Sequence, residues 1–376
     1  MAVEIRTVQD KKELKKFVEF ANELYKDNPY YVPVIVKDDM ATLDKDLNPA
    51  YDFCESQCFL AYKNGKIVGR IAGIINHRAN ETWNQLSARF GFVDFINDND
   101  VVDALFHAVE DWARSKGMEM IQGPLGFTDM DKEGMLVEGF DQVSTMITIY
   151  NYAYYPKQLE RLGYLKATDW KEYKVYIPKE IPEKHLRIGE IVTQKYGLKV
   201  LTFKSTRELL PYGRAIFESI NKCYANLYGY SELSPKQIDY YTKLYVPLLR
   251  PDFIVLIQRE IDEKIIGFAI ALPNLSRALR KANGSLFPFG FVHLLSALKG
   301  RPKVVDLYLM GVLPEYQNRG VNTLFFNELI PVFNKLGVQY AESNPELETN
   351  IAVQMQWNYF ERQHHKRRRC YMKNLD

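Results

Sequence analysis

The chain has 376 residues, 47% hydrophobic and 26% charged, with a formal net charge of +2. That length exceeds one typical core and points to two domains of ordinary globular composition. The small net charge excludes a global field drawing the chain onto nucleic acid, and no run of about 18 apolar residues predicts a membrane span. The N-terminal "MAVEIRTVQDKKELKK" lacks the apolar stretch of a secretory signal, so a cytoplasmic location is expected. Of the four cysteines, Cys54 and Cys58 have no matching second pair. They and Cys223 and Cys370 are expected to be idle reduced thiols, with no metal. The 25 tyrosines and 21 phenylalanines fill cores and can line an apolar pocket.

In chain order, "VEIRTVQDKKEL" (3–14) predicts a strand running into a helix. "NGKIVGRIAGII" (64–75) predicts a hairpin turn and an apolar strand, with Gly69 inside it. "VVDALFHAVEDWARSKG" (101–117) has helical spacing and ends on a glycine suited to a C-cap. Residues 121–164 are rich in Gly, Asp and Tyr and too long for a simple link; the aromatic "IYNYAYY" argues against disorder. Here Asp129, Asp131, Asn151, Tyr154 and Tyr155 are candidates to line an acceptor pocket, against packing under the sheet. A helix end and closing strand follow in "QLERLGYLKATDWKEYKVYI" (158–177), then a proline-marked boundary in "IPKEIPEKHLR" (177–187).

The order then repeats. "LKVLTFKSTREL" (198–209) resembles residues 3–14, and "DEKIIGFAIALP" (262–273) resembles 64–75 with Gly267 in the place of Gly69. "VNTLFFNELIPVFNKLG" (321–337) matches 101–117, and "YFERQHHKRRRCYMKN" (359–374) matches the first closing strand. The expected architecture is α/β: two tandem units, 1–180 and 181–376, each a mixed, mostly antiparallel sheet flanked by helices. Residues 275–303 are an insertion with basic ends and a Phe-rich middle, read either as a lid over an apolar chain or as a helical pair covering the sheet or a dimer contact. The basic run 362–373 reads as a solvated face, and a nucleic-acid role would need a wider basic field.

Between the strand "VVDLYLMGVL" and helix 321–337 lies "PEYQNRG" (314–320). A loop of this kind exposes backbone N–H groups at a helix N-terminus, where the dipole favours phosphate. Arg319 adds a charge, Gln317 and Asn318 add donors, and Gly320 admits a ligand close to the backbone. The stretch "VVDLYLMGVLPEYQNRGVNTLFFNELI" resembles the pyrophosphate loop of the GCN5-related N-acetyltransferase (GNAT) superfamily, with Asn322 where the family has Gly or Ala. The resemblance covers 198–376 directly and 1–178 through the repeat. Residues 121–164 resemble a group of bacterial tandem GNAT-like proteins whose substrates are undefined. Aligning the matched helices places Asn97, Asp98, Asn99 and Asp100 opposite Gln317, Asn318, Arg319 and Gly320. Carboxylates there repel a pyrophosphate, so only the second unit is expected to bind CoA, the first shaping the substrate cleft or an interface.

The resemblance implies acyl transfer, most simply of acetyl, from acetyl-CoA or another acyl-CoA to a small-molecule amine or a peptide. It implies CoA contacts at Val312, Gln317, Asn318, Arg319, Gly320, Val321 and Asn322. The backbone N–H of Val312 is expected to polarise the thioester. Candidate bases are Asp306, Glu315 and, first, Glu342. The family's acid tyrosine falls at Phe360, leaving its neighbour Tyr359 as the candidate, and His364 stands where the family has glycine. A homodimer is possible on this reading. An aminoacyl-tRNA-dependent transferase of tandem fold and a non-catalytic CoA-binding regulator are the alternatives.

Overall fold

The computed structural model describes residues 2–376. Fourteen strands form one sheet: β1 (Glu4–Thr7), β2 (Cys54–Lys63), β3 (Lys66–Asn76), β4 (Ser87–Phe95), β5 (Met120–Gly123), β6 (Met135–Glu138), β7 (Leu165–Tyr176), β8 (Leu198–Thr202), β9 (Ile254–Arg259), β10 (Ile265–Pro273), β11 (Val304–Val312), β12 (Tyr340–Ser343), β13 (Glu346–Leu347) and β14 (Arg362–Asn374). Their order is β1-β2-β3-β4-β5-β14-β7-β12-β11-β10-β9-β8, with β6 on β14 and β13 on β7. The repeat is visible from either edge inward. In each half four strands run as antiparallel neighbours, β1 to β4 and β8 to β11, and the fourth then pairs in parallel with the next, β4 with β5 and β11 with β12.

The halves exchange their closing strands. β7, from the first half, pairs with β12 of the second from Tyr176↔Tyr340 to Lys174↔Glu342. β14, from the second half, pairs with β5 of the first from Tyr371↔Gly123 to Asn374↔Met120. β7 and β14 pair with each other along most of their length, so the sheet does not divide at residue 180. Each half keeps its own apolar core on its helix. Val101, Leu105, Phe106 and Val109 of helix Asn99–Ser115 pack with Phe90 and Phe95. Leu324, Phe325, Leu329 and Phe333 of helix Thr323–Leu336 pack with Val255 and Ile257.

Charges are sealed in where the exchanged strands meet. The Lys366 ammonium lies 3.0 Å from Glu172 Oε2 and 3.0 Å from Glu342 Oε2. Arg368 donates to the other oxygen of Glu172 and to the Ile149 carbonyl. Glu172, Lys366 and Arg368 are fully buried. Burial alone pushes the Glu172 carboxyl up, but the Arg368 and Lys366 charges outweigh it and hold it at about 2. His365 Nε2 lies 3.3 Å from Glu342, and burial together with Lys366 pushes the ring down to about 3, so it is neutral. Glu172, Glu342 and His365 are close enough to share a cation, and the Lys366 ammonium already sits against both carboxylates. Part of the basic run read as a solvated face is therefore interior, because exchange puts β14 in the middle of the sheet rather than at its edge.

Removing Lys366 leaves its carboxylates partly uncompensated. Lys366→Met is expected to cost roughly 3–5 kcal/mol in chemical denaturation. Adding Glu342→Gln should restore part of that loss; equal midpoints for wild type and Lys366→Met would remove the network's structural role.

Candidate active site

β11 and β12 pair only from Val304↔Tyr340 to Leu307↔Ser343. β12 stops there while β11 continues to Val312, leaving a wedge between them. On its other edge β11 pairs with β10, and the Leu313 N–H donates to the Ile266 carbonyl at 2.8 Å. Val312, opposite Gly267, is then a non-hydrogen-bonded pair whose N–H and C=O turn toward the wedge. Its carbonyl accepts from Gln317 Nε2 at 2.9 Å. Met310, two residues earlier, turns the same way, and its carbonyl accepts from the Tyr224 hydroxyl at 3.2 Å. The side chain of Asn344 donates to the Tyr308 carbonyl deeper in the wedge.

Beyond β11, the backbone N–H groups of residues 318–322 find no acceptor among the described residues. Asn318 at φ +57° and Gly320 at φ +81° turn this loop left-handed. At Gly320 a side chain would also meet Ile188 Cγ2 at 2.6 Å. The Arg319 guanidinium lies 5.4 Å from the Tyr196 ring, exposed at the loop's edge. No side chain caps helix Thr323–Leu336; Asn322 turns its amide to Gln356 at 3.4 Å, and Val321 is buried in the core. The matching loop of the first half is self-occupied. Asp98 accepts from the N–H groups of Asp100 and Val101, and Lys63 pairs with it at 2.5 Å. The hydrogen bond from Lys63 holds the Asp98 carboxyl below its ordinary range. That helix N-terminus already carries its anion.

The wedge opens into a cavity of about 1970 Å³ lined by both halves. Sites for drug-sized ligands measure about 300–1,000 Å³. Met310, Ser343, Asn344 and Trp357 stand at the wedge end. Leu275, Leu279, Leu294 and Leu298 of the 275–303 insertion wall the far side, packed against Val32, Ile35 and Met146 of the first half. Its helices, Ser276–Ala282 and Gly290–Lys299, thus cover the cavity.

Glu346 on β13 is the chemically distinctive group of this cavity. Its Oε1 accepts from Trp357 Nε1 at 2.6 Å, and its buried Oε2 lies near the Ser343 side chain without a well-formed hydrogen bond among the described residues. Burial outweighs the Trp357 hydrogen bond and pushes this carboxyl up to about 8. Sequence reading missed it because neither Glu in "SNPELE" belongs to a recognisable pattern; its burial comes from β13 pairing with β7. The Pro345 turn directly after β12 was the one available signal.

The expected site residues distribute unevenly. Asp129 and Asp131 line the cavity, each pushed up to about 6 by burial, and Asp131 accepts from the N–H groups of Phe127 and Thr128. Asn151, Tyr154 and Tyr155 do not line it. Asn151 is buried, bonded to both backbone groups of Leu136. Tyr154 donates to the Phe95 carbonyl at 2.6 Å. Tyr155 is fully buried between the Tyr25 hydroxyl and the Phe95 N–H. The acceptor-pocket expectation fails for these three because stacked tyrosines dock their loop onto helix Lys11–Leu24.

Glu342 faces a separate polar cleft of about 650 Å³, with Oε2 held by Lys366. Asp306 beside it accepts from Asn274 at 2.7 Å; burial and then the Glu342 charge push it up to about 7. Glu315 pairs with Lys264 at 3.1 Å on the surface. Tyr359 is 47% exposed, its ring against His185 with Lys184 above it, so it faces outward rather than into the cavity. All four cysteines are free, and burial pushes each thiol up to about 12.

This fold has solved counterparts. It is similar to a tandem GNAT protein from the clavulanic acid biosynthesis pathway, with a TM-score of 0.56 and 12% identity, covering 100% of this chain and 99% of that one. A GCN5-related N-acetyltransferase from Sphaerobacter thermophilus gives 0.52 and 12%, covering 99% and 96%. The two halves, each with a parallel pair splayed ahead of a helix, are a tandem GNAT fold. In sequence the chain is 30% identical over 379 residues to Protein YghO of Escherichia coli K12, covering 99% of this chain and 95% of that protein, and it belongs to the YghO family. It is also 28% identical over 310 residues to a protein of Caulobacter vibrioides named bacterial ceramide synthase, covering 81% of this chain and 79% of that one. No protein-family model matches.

A carboxyl raised by folding ties stability to pH. Between the ordinary carboxylate range and about 8, the folded state holds a proton on Glu346 that the unfolded chain releases. This contribution is present at low pH and lost as pH rises through 8. Glu346→Gln should therefore melt higher than wild type at pH 9, with a smaller difference at pH 5. A constant difference across that range would contradict the assignment.

Proposed function

We propose that the chain is an acyl-CoA-dependent N-acyltransferase whose cavity takes a long apolar chain, joining a fatty acyl group to a long-chain amine. The observation that carries this reading is the continuity of an uncapped, anion-ready loop, a strand wedge and a large leucine-lined cavity. The name of the Caulobacter relative supports it, since a ceramide is the amide of a long-chain amino alcohol and a fatty acid. Only the second half is proposed to bind CoA, because Asp98 fills the equivalent place in the first.

In this reading the N–H groups of residues 318–322 and the Arg319 charge hold the CoA pyrophosphate, an arrangement favoured at helix N-termini. The pantetheine arm follows the unpaired edge of β11 past Val312, and the inward N–H of Met310 faces the thioester oxygen. The acceptor nitrogen attacks the thioester carbon; the C–N bond forms and the C–S bond breaks with its electron pair on sulfur. Glu346 takes the proton lost by the amine, its raised pKa matching a base that works near neutral pH. The thiolate takes a proton from Tyr308, which lines the cavity, and the phenol recovers one from solvent as Glu346 releases its own. Glu346 and Tyr308 take the roles first expected of Glu342 and Tyr359.

Thiol release by purified protein supplied with acetyl-CoA or palmitoyl-CoA and short- or long-chain amines tests the reading. Palmitoyl-CoA with a long-chain amine should turn over at least tenfold faster than acetyl-CoA with a short one. Glu346→Gln should lower kcat by roughly 10²–10⁴-fold and abolish the rise of kcat/KM with pH toward 8. Gly320→Val should raise KM for acyl-CoA while kcat holds. Wild-type kcat in Glu346→Gln would remove the base, and a preference for acetyl-CoA would remove the long chain.

A further inference from the structure

The cavity mouth has an apolar rim. Phe287, Phe291 and Leu295 of the insertion and Leu244 and Leu248 from the helices before β9 all line the cavity, yet are exposed. Phe287 is 74% exposed and Phe289 beside it 73%; Val292, one helical turn on, is 48% exposed. Scattered exposed apolar residues are ordinary, but a contiguous patch ringing an apolar cavity marks an interaction surface. The same segment, 275–303, carries Arg277, Arg280, Lys281, Lys299, Arg301 and Lys303, all exposed, and no acidic residue.

We propose that helix Gly290–Lys299 and the Phe287–Phe289 turn seat the cavity mouth on an anionic phospholipid surface, so that apolar chains enter from the bilayer. Aromatic and aliphatic side chains flanked by cations, with no anions, are the composition of a segment lying in a lipid interface. A second copy fits the charge less well. A two-fold contact through this insertion would bring together two segments that each carry cations and no acidic residue, and like charges disfavour binding. No helix among the described residues is long and apolar enough to cross a membrane, so contact is with the surface. Docking rests on the proposed function only in taking the cavity's occupant to be an apolar chain. A chain that passes from bilayer to cavity through a rim pressed into the lipid never exposes its length to water.

Flotation of the full chain with vesicles of phosphatidylcholine alone, or mixed with phosphatidylglycerol, tests this at low and high salt. Wild type should float with the mixed vesicles at low salt and at least fivefold less with neutral ones. The paired substitution Phe289→Ser with Val292→Ser touches neither cavity wall nor loop; it should abolish flotation while the melting temperature holds. Lys299→Glu with Arg301→Glu should remove the preference for anionic lipid. Both variants should turn over water-soluble short-chain substrates like wild type, yet lose at least tenfold with a long-chain amine embedded in vesicles. Wild type left in solution beside anionic vesicles would overturn docking, whatever its turnover of soluble substrates. So would a dimer in light scattering that Phe289→Ser with Val292→Ser splits without any lipid binding. Flotation without acyl transfer would instead remove the proposed activity and leave docking standing.

Discussion

β11 and β12 share backbone hydrogen bonds only as far as Leu307 and Ser343, and the inward edge of β11 beyond them must find other partners. Buried N–H and C=O groups do not stay unpaired without cost. The carbonyls are met from within the protein: Tyr308 by Asn344, Met310 by Tyr224, Val312 by Gln317. The side chains that satisfy them prop the strands apart. The wedge is thus held open by the bonds that compensate for it, and the loop of residues 318–322 continues the same unmet edge around the corner.

The carboxylates of this protein fall into two regimes set by their partners. At the strand exchange, Lys366 and Arg368 keep Glu172 charged although all three side chains are fully buried. On the cavity wall, Glu346, Asp129 and Asp131 have burial without a cation in contact, and their pKa values rise. The interior is therefore divided between charge that is locked and charge that can move, and the second kind lies where the apolar cavity meets the wedge.

Much of this was legible in the sequence because it is local. The amphipathic helices near 101–117 and 321–337, the strand–turn–strand pairs around Gly69 and Gly267, and the loop before helix Thr323–Leu336 are set by residues a few positions apart. The contrast between the acidic loop 97–100 and the loop 317–320 could be read by aligning two helices. What escaped depends on partners far along the chain. Asn151 and Tyr155 look like pocket residues in a polar, aromatic loop, but Leu136 and Tyr25 claim them. Lys366 reads as one more surface cation until Glu172, 194 positions earlier in the chain, is laid beside it by β7. Glu346 is marked in the sequence only by the Pro345 turn before it, and its burial depends on the strand it pairs with.

The exchange of β7 and β14 also governs how the chain becomes a protein. The first half's strands β1 to β5 end on an edge that residues 362–374 cover, and those are synthesised after every other described strand. Until then β5 offers an unpaired edge, and β7, with no β12 to join, offers another. Folding of the N-terminal half cannot be completed ahead of the C-terminal half, so the two units mature as one cooperative body with pairings between distant residues. The two halves repeat one fold, and the crossing of their last strands leaves neither with a sheet of its own.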